Sequence, residues 1–432
     1  MVRDGSYSDA IMTAYYNFGN THGDVAVVLD QRYAEPSAII EAMMSRDSST
    51  DIYMMSVASE AYDALYNRGF LVELQNEELV SAGEGMYPAI REALMRDGDV
   101  VAIPVSVYGW TLGLDYEGFE KIGIAREDVP DNWSELIDLL PELPDMLPED
   151  GSVRIFEEYM DQDSAKSQLL RVIMDSWHTQ QTAAGIAPSY DSPELVELFD
   201  KVLSMDYEAL GLPEADENGG YMEYMYSYDG ERTYILLETG VGCTIGNFYS
   251  NRDPVLLSLV PGEAGCLPLQ MSVAFINPFS ENVELAEEFL AELMRNTDMR
   301  TAYNLSDALN EPVRSRYAEE SIAESEKMLA ELQAQLDTAD PVDKLSIEDS
   351  IADFEQQIED MERYGWDISA KEIEWYRAHE DAITVERFNF LYASDDDELS
   401  DLAQQFMAGK IGSADFLKEV DRKVRMRAQE GN

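Results

Sequence analysis

The chain offers little for acid–base or nucleophilic chemistry. Its three histidines, His22, His178 and His379, are scattered, and the Gly-x-Ser-x-Gly, P-loop, His-Glu-x-x-His and Gly-x-Gly-x-x-Gly patterns are absent. With 87 Asp and Glu residues, two carboxylates could meet in a cleft and act on a glycosidic bond, so a glycan-active enzyme stands as an alternative reading. The run Asp395 to Asp397 lacks the spacing of a calcium loop and reads as a solvated acidic loop. Cys243 and Cys266 have no His or Cys neighbours at metal-ligand spacing; they form one disulfide or remain two buried thiols, the second being the plainer reading. No metal and no cofactor is expected. Recognition chemistry is better represented. Trp177 and His178 sit together in the helical stretch MDSWHTQQT and can supply a flat plate and a donor, or else a core indole beside an exposed imidazole.

Such residues need a large framework to position them. A chain of 432 residues exceeds what one hydrophobic core organises, so two lobes are expected. The composition is 45% hydrophobic, enough for a core, while the net charge of -57 gives a very acidic surface. That charge repels nucleic-acid phosphates and anionic headgroups, and it tilts ligand choice toward neutral or cationic solutes. No run of about 18 apolar residues exists to cross a membrane. Met1 to Tyr7 reads as the end of a strand passing straight into a helix. The expectation is that an upstream export signal or lipid-anchored cysteine has been removed.

Up to about residue 115, β-rich runs alternate with amphipathic helical stretches, the pattern of a sheet covered by helices. Val25–Leu29, Asp51–Met55 and Val100–Pro104 read as strands, and Pro36–Met44 and Ala58–Asn67 as helices. Residues 115–255 begin with helices around Phe119 and Trp133, the latter a structural helix-start residue, and pass through the aromatic stretch Tyr221–Tyr228. Val255–Val260 and Met271–Ile276 then read as strands, and Val283–Arg295 as an amphipathic helix. In residues 315–365, Ile347, Ile351, Phe354, Ile358 and Met361 alternate spacings of four and three, while Ile322, Leu329 and Leu336 repeat every seven. The Asp337–Asp343 stretch separates the two arms. The pattern predicts an inserted antiparallel helical hairpin that acts as a packing or spacer device or as a partner contact.

Five stretches in order resemble the extracellular solute-binding proteins of ABC importers, in the family that includes maltose-binding protein. They are DIYMMSVASEAYDALYNRGFLVEL, GDVVAIPVSVYGWTLGLDYEGFEKIGI, VPDNWSELIDLL, INPFSENVELAEEFLAELM and QQFMAGKIGSADFLKEVDRKVR. The chain departs from the family's pattern in its missing first strand, in Asp115, and in the helical insertion. The resemblance implies an α/β, two-lobed periplasmic-binding-protein-like fold (type II-like) that closes by hinge rotation around a solute. Placed on this sequence, lobe one takes residues 1–110 and 260–305, and lobe two takes 111–259 and 306–432, including the hairpin at 315–365. Crossings are expected near Tyr108–Leu114, Leu256–Pro261 and Asn304–Pro312. The implied protein is a monomeric, extracellular lipoprotein that binds a sugar without transforming it and delivers it to an ABC permease. A polyamine or a peptide is the alternative ligand.

A sugar needs aromatic plates and short polar groups at strand ends. Tyr108 and Trp110 lie at the first expected crossing, for cleft contact or hinge packing. Asn247, Phe248 and Tyr249, in GNFYSN, occupy the place of the family's ligand-lining loop, with Phe248 standing in for an aromatic. Ser56 follows a strand, and Ser6 and Tyr7 hold the equivalent position after the first; ligands gather at such carboxyl ends. Trp177 and His178 complete the expected set.

Overall fold

The computed structural model describes residues 8–29, 36–157, 160–214, 233–248, 252–259, 263–336, 338–387 and 397–430. Ser6, Tyr7, Tyr249 and Tyr221–Tyr228 lie outside them. The chain divides into two compact units, Met1–Ser306 with His379–Asn432, and Asp307–Ala378.

The larger unit opens with α1 (Asp9–Thr21), capped where the Ser8 hydroxyl accepts from the Ile11 amide, followed by α2 (Pro36–Ser45) and β1 (Ile52–Ser56). Helices α3 (Glu60–Asn67), α4 (Glu77–Glu84) and α5 (Pro88–Leu94) follow. Gly69 ends the α3 segment at φ +73°, a conformation that costs any residue with a Cβ. A short ribbon, β2 (Met95–Arg96) and β3 (Asp99–Val100), leads to β4 (Ile103–Tyr108). Past Gly109 the chain changes sheets. Strand β5 (Trp110–Leu114) pairs not with β4 but with elements much further on.

Next come α6 (Tyr116–Lys121), α7 (Trp133–Leu139), β6 (Val153–Arg154), α8 (Gln162–Ala183), α9 (Pro193–Ser204), β7 (Tyr234–Ile235), β8 (Leu237–Gly242) and β9 (Asp253–Val255). Strand β5 is the centre of the sheet β8-β5-β9, antiparallel to both neighbours. The chain then makes β10 (Leu267–Ile276), α10 (Val283–Arg295) and α11 (Met299–Leu305). Strand β10 organises the other sheet. It pairs antiparallel with β1 and with β4, and parallel with β13 (Ile383–Val385). The expected division gave all of 306–432 to the second lobe, whereas this strand joins the first sheet. Helices α15 (Asp397–Met407) and α16 (Ser413–Glu430) end the chain.

Among the described residues the first sheet is buried on both faces, with Tyr53, Val273 and Phe275 on the side away from α1, and two further clusters complete the packing. One collects Phe18, Leu79, Ile103, Ala274, Ile276, Phe289 and Leu290 from α1, α4, β4, β10 and α10. The other collects Leu112, Leu114, Trp133, Ile173, Phe199 and Leu237 with Phe406, Phe416 and Leu417 from the last helices. Trp133 fits its expected structural role: it is 1% exposed, and its indole N–H donates to Ser176 Oγ at 3.1 Å. Asn132 caps α7 by accepting from the Glu135 amide. Asn277 ties β10 to the loop before β1, donating from Nδ2 to the carbonyls of Asp47 and Thr50 at 2.7 and 2.8 Å.

The expected strand at Val25–Leu29 does not form. Val25, Val27 and Leu29 do pack against the first core with the period of a strand, but the segment has no ladder partner among the described residues. Of the expected strand at Val255–Val260 only Val255 falls in a strand, β9, and Val260 lies outside the described residues.

In the smaller unit, α12 (Arg316–Leu336) and α13 (Pro341–Tyr364) form the expected hairpin. At its foot, β11 (Val313–Arg314) pairs antiparallel with β12 (Trp366–Ile368), and α14 (Ala370–Ala378) follows. Gly365 makes the close approach possible: a Cβ there would lie 2.3 Å from that of Ala318 and 2.4 Å from the Met361 carbonyl oxygen.

Candidate functional site

The first sheet changes character along one face. Ile52, Met54, Ala274, Ile276 and Ile103 lie against α1 and α10 in the apolar core. Alternation carries the same face forward to Ser56 on β1 and Ser272 on β10, and on β4 a register shift between Ser272 and Val273 brings Ser106 opposite Ser272. The register sets Ser272 directly opposite both Ser56 and Ser106, so three half-buried serines form one row across three strands. The next step along the face pairs Gln270 with Tyr108. Strands β1 and β4 run parallel to each other, and the row crosses the carboxyl-terminal part of each, where ligands gather in α/β sheets. Ser56 was anticipated; Ser106, Ser272 and Gln270 were not. The available signal was one or two polar residues in each of three mostly apolar strands, MMS, VSVY and LQMSVAF.

Tyr108 and Trp110 flank Gly109, and their rings stay 37% and 40% exposed in a region of buried neighbours. Gly109 is squeezed. A Cβ there would lie 2.4 Å from the Pro268 carbonyl oxygen and 2.8 Å from Cys243 Sγ, and its own carbonyl accepts from the Cys243 amide at 3.0 Å. Backbone packing at this point allows no side chain, so the aromatics sit one residue to either side. Both cysteines are free, Cys243 buried and Cys266 half-buried.

Trp110 pairs with Gly242 on β8, and residues opposed in an antiparallel ladder project to the same face. On that face Gly242 has no side chain because the Asn247 carbonyl oxygen lies 2.0 Å from where a Cβ would be. The turn after β8 therefore folds back over the ladder on the Trp110 side. Asn247 holds it with Nδ2 donating to Thr244 Oγ1 at 2.7 Å, and Phe248 follows, half-buried. Asn304 clamps the turn from α11. The structure thus brings Tyr108, Trp110, Asn247 and Phe248 to one neighbourhood.

Trp177 and His178 go elsewhere. The Trp177 indole N–H is committed to the Ser189 carbonyl at 2.8 Å, and His178 is buried with Nδ1 2.6 Å from the Tyr190 hydroxyl and its ring stacked on Tyr190. Burial lowers the imidazole to about 4, so it is neutral at physiological pH. Nearby, burial raises the Asp175 carboxyl to about 7, with Arg171 pulling the other way. This cluster braces α8 against α16, because the Tyr190 amide donates to Asp421 at 2.9 Å. It replaces the expected plate and donor with packing.

Ser56, Ser106, Ser272, Gln270, Tyr108, Trp110, Asn247 and Phe248 carry hydroxyls, amides and rings and no charge. Such a set donates and accepts hydrogen bonds and stacks on flat apolar faces. Among the described residues no group of three or more His, Cys, Asp or Glu could hold a metal ion, and no helix is long and apolar enough to cross a membrane.

No family profile and no curated protein matches the sequence. Solved structures do match in fold. The maltose-bound MalE3 of T. maritima superposes with a TM-score of 0.50 over 97% of this chain and 96% of that one, at 14% identity. The chain therefore has the two-lobed α/β fold of which that structure is an example. With 553 chains of solved structures matching, the fold is widely used and does not by itself select a ligand.

Proposed function

We propose that the chain is the solute-capturing component of an ABC importer. It takes a sugar or oligosaccharide between its lobes, closes around it, and delivers it chemically unchanged to a membrane permease. Lobe one is assigned residues 1–110 and 260–305 together with β13, and lobe two residues 111–259 with the last helices; the chain works outside the cytoplasm as a monomer on a lipid anchor.

The observation that carries this reading is the uncharged row Ser56–Ser272–Ser106, running into Tyr108 and, across Gly109, Trp110. Sugar rings present hydroxyls at their edges and apolar CH faces, which match hydroxyl rows and aromatic plates respectively. A polyamine site needs carboxylates for its ammonium groups, and the eight described side chains include none. Asn247 and Phe248 close the site from the second sheet, with Tyr249 next in sequence. Ser6 and Tyr7 remain ligand-contact candidates by their place in the sequence.

A thermal-shift screen against mono- and oligosaccharides, polyamines and short peptides tests the reading. A ligand at 100 times its dissociation constant stabilises the native state by about 2.7 kcal/mol. A sugar-specific shift supports it. A shift with polyamines alone overturns the ligand class, and release of a cleaved sugar overturns the transport role in favour of a glycan-active enzyme.

A further inference from the structure

The strands that build the serine row, IYMMS, IPVSVY and LPLQMSVAFI, contain no charged residue, and neither does ITV of β13. The residue after ITV is Glu386. Its amide donates to the Leu269 carbonyl at 2.8 Å, which continues the parallel register of Leu269 with Val385 by one step and sets Glu386 beside Gln270. Residues side by side in a ladder share a face, and Gln270 is itself opposite Tyr108. Glu386, Gln270 and Tyr108 therefore form a second row, two residues along β10 from the row of serines. On the sugar reading of the cleft, on which this step depends, we propose that the Glu386 carboxylate is a specificity-determining acceptor: it takes hydrogen bonds from sugar hydroxyls and turns away acidic sugars.

Topology puts the carboxylate in a crevice. The carbonyls of Leu269 and Met271 point to one edge of β10, where they accept from the amides of Glu386 and Val57. Strands β13 and β1 thus run toward each other along that edge, one parallel and the other antiparallel to β10, and both leave it at the same gap. Ser56 and Glu386 stand on either side of the gap, about 7 Å apart along β10. Strand ends that diverge in this way make the crevices in which open α/β sheets bind ligands. Cys243 marks the same place from the second sheet. The charge of Glu386 is near enough to oppose ionisation of its thiol, and a Cβ on Gly109, between Tyr108 and Trp110, would lie 2.8 Å from its Sγ.

The chain beyond the carboxylate is also held. Arg387 Nη1 lies 3.2 Å from an Asp63 oxygen on α3, and its guanidinium is 5.3 Å from the centre of the Tyr66 ring. With its backbone fixed on both sides, Glu386 gives up little freedom on meeting a ligand. Serine, glutamine and tyrosine side chains both donate and accept, whereas an ionised carboxylate only accepts. It selects a ligand that presents donors and repels one that presents a carboxylate, and at 5% exposed it does so with little competition from water. A single carboxylate does not make a polyamine site, where each ammonium group needs its own counter-charge.

Calorimetry of the full chain with glucose, galactose, maltose, cellobiose, glucuronate, galacturonate and spermidine tests this in the wild type, Glu386→Gln and Glu386→Asp. The wild type binds at least one neutral sugar and binds both uronates more weakly. In Glu386→Gln, which keeps the shape of the side chain, affinity for that neutral sugar falls by on the order of tenfold or more, and its preference over the uronates shrinks. A merely structural role would not move that preference. Glu386→Asp, which retains the charge, loses affinity but still excludes uronates, and it carries the test if Glu386→Gln does not fold. Full neutral-sugar affinity in Glu386→Gln, or an unchanged preference over uronates, overturns the proposal and leaves the cleft reading standing. Uronates bound by the wild type as tightly as neutral sugars overturn it in the same way. Binding of none of the neutral sugars overturns both, and so does spermidine binding that Glu386→Gln abolishes, since the carboxylate would then serve an ammonium group.

Discussion

The side chain of Asn304 reads both backbone groups of Ile245: the Ile245 amide donates to Oδ1 at 2.9 Å, and Nδ2 donates to the Ile245 carbonyl at 2.9 Å. Both residues are fully buried. A helix that packs on β4 thereby fixes the turn that carries Asn247 and Phe248. Asn304→Leu removes both bonds and leaves two buried backbone groups without these partners. Chemical denaturation is expected to show a loss on the order of 2–4 kcal/mol. An unchanged midpoint would mean that the turn holds itself.

Stacking on the ligand gives a second expectation. Trp110→Ala and Phe248→Ala each weaken sugar binding by on the order of 1–3 kcal/mol in calorimetry, while Trp177→Ala leaves it unchanged. Equal losses in all three would place the ligand differently.

The serine row is tested by its middle member. Ser272→Ala removes the hydroxyl that faces both Ser56 and Ser106 and should reduce affinity by about 0.5–1.5 kcal/mol with little change in melting temperature. Full affinity in Ser272→Ala and Ser106→Ala together would remove the row from the site.

Asp175 and His178 give opposite pH dependences. The Asp175 carboxyl titrates near 7 in the fold against an ordinary 3.8, so its contribution to stability is present below about 3.8 and is lost as pH rises toward 7. His178 titrates near 4 against 6.5, so its contribution is present above 6.5 and is lost as pH falls toward 4. In Asp175→Asn the melting temperature should rise relative to wild type as pH is raised from 4 to 7. A constant difference across that range would show that Asp175 keeps its ordinary titration.

The crossing glycine is equally specific. Gly109→Ala adds a methyl group 2.4 Å from a backbone oxygen, so one of two buried strands must shift. A cost of about 1–3 kcal/mol is expected from denaturation, larger than for Gly240→Ala, where a Cβ meets nothing within 4 Å. Similar costs at both positions would deny the close approach its role.

Elements with strong periodicity were legible. Val283–Arg295 forms the helix expected of it residue for residue, and the alternating seam of 347–361 gives the hairpin. Val25–Leu29 misled because a strand pattern records only which side chains are buried, and a ladder needs a neighbour that the sequence does not name. The candidate site was legible where an aromatic or a turn marked it, as at Trp110 and Asn247. Ser106 and Ser272 were not, because their meaning comes from a register that pairs positions more than 160 apart in the chain. Trp177 and His178 attracted notice by residue type, and only tertiary packing against Ser189 and Tyr190 reveals where their polar atoms are spent.

The thiol beside Gly109 carries a practical consequence. Cys243 is fully enclosed, and burial with the added charge of Glu386 pushes its ionisation well above the ordinary thiol range. An alkylating reagent must therefore wait until the backbone around it parts, whereas half-buried Cys266 is accessible sooner. The pace of the slower labelling phase times the breathing of the segment between the two sheets, so the unmodified chain contains its own stopwatch for that motion.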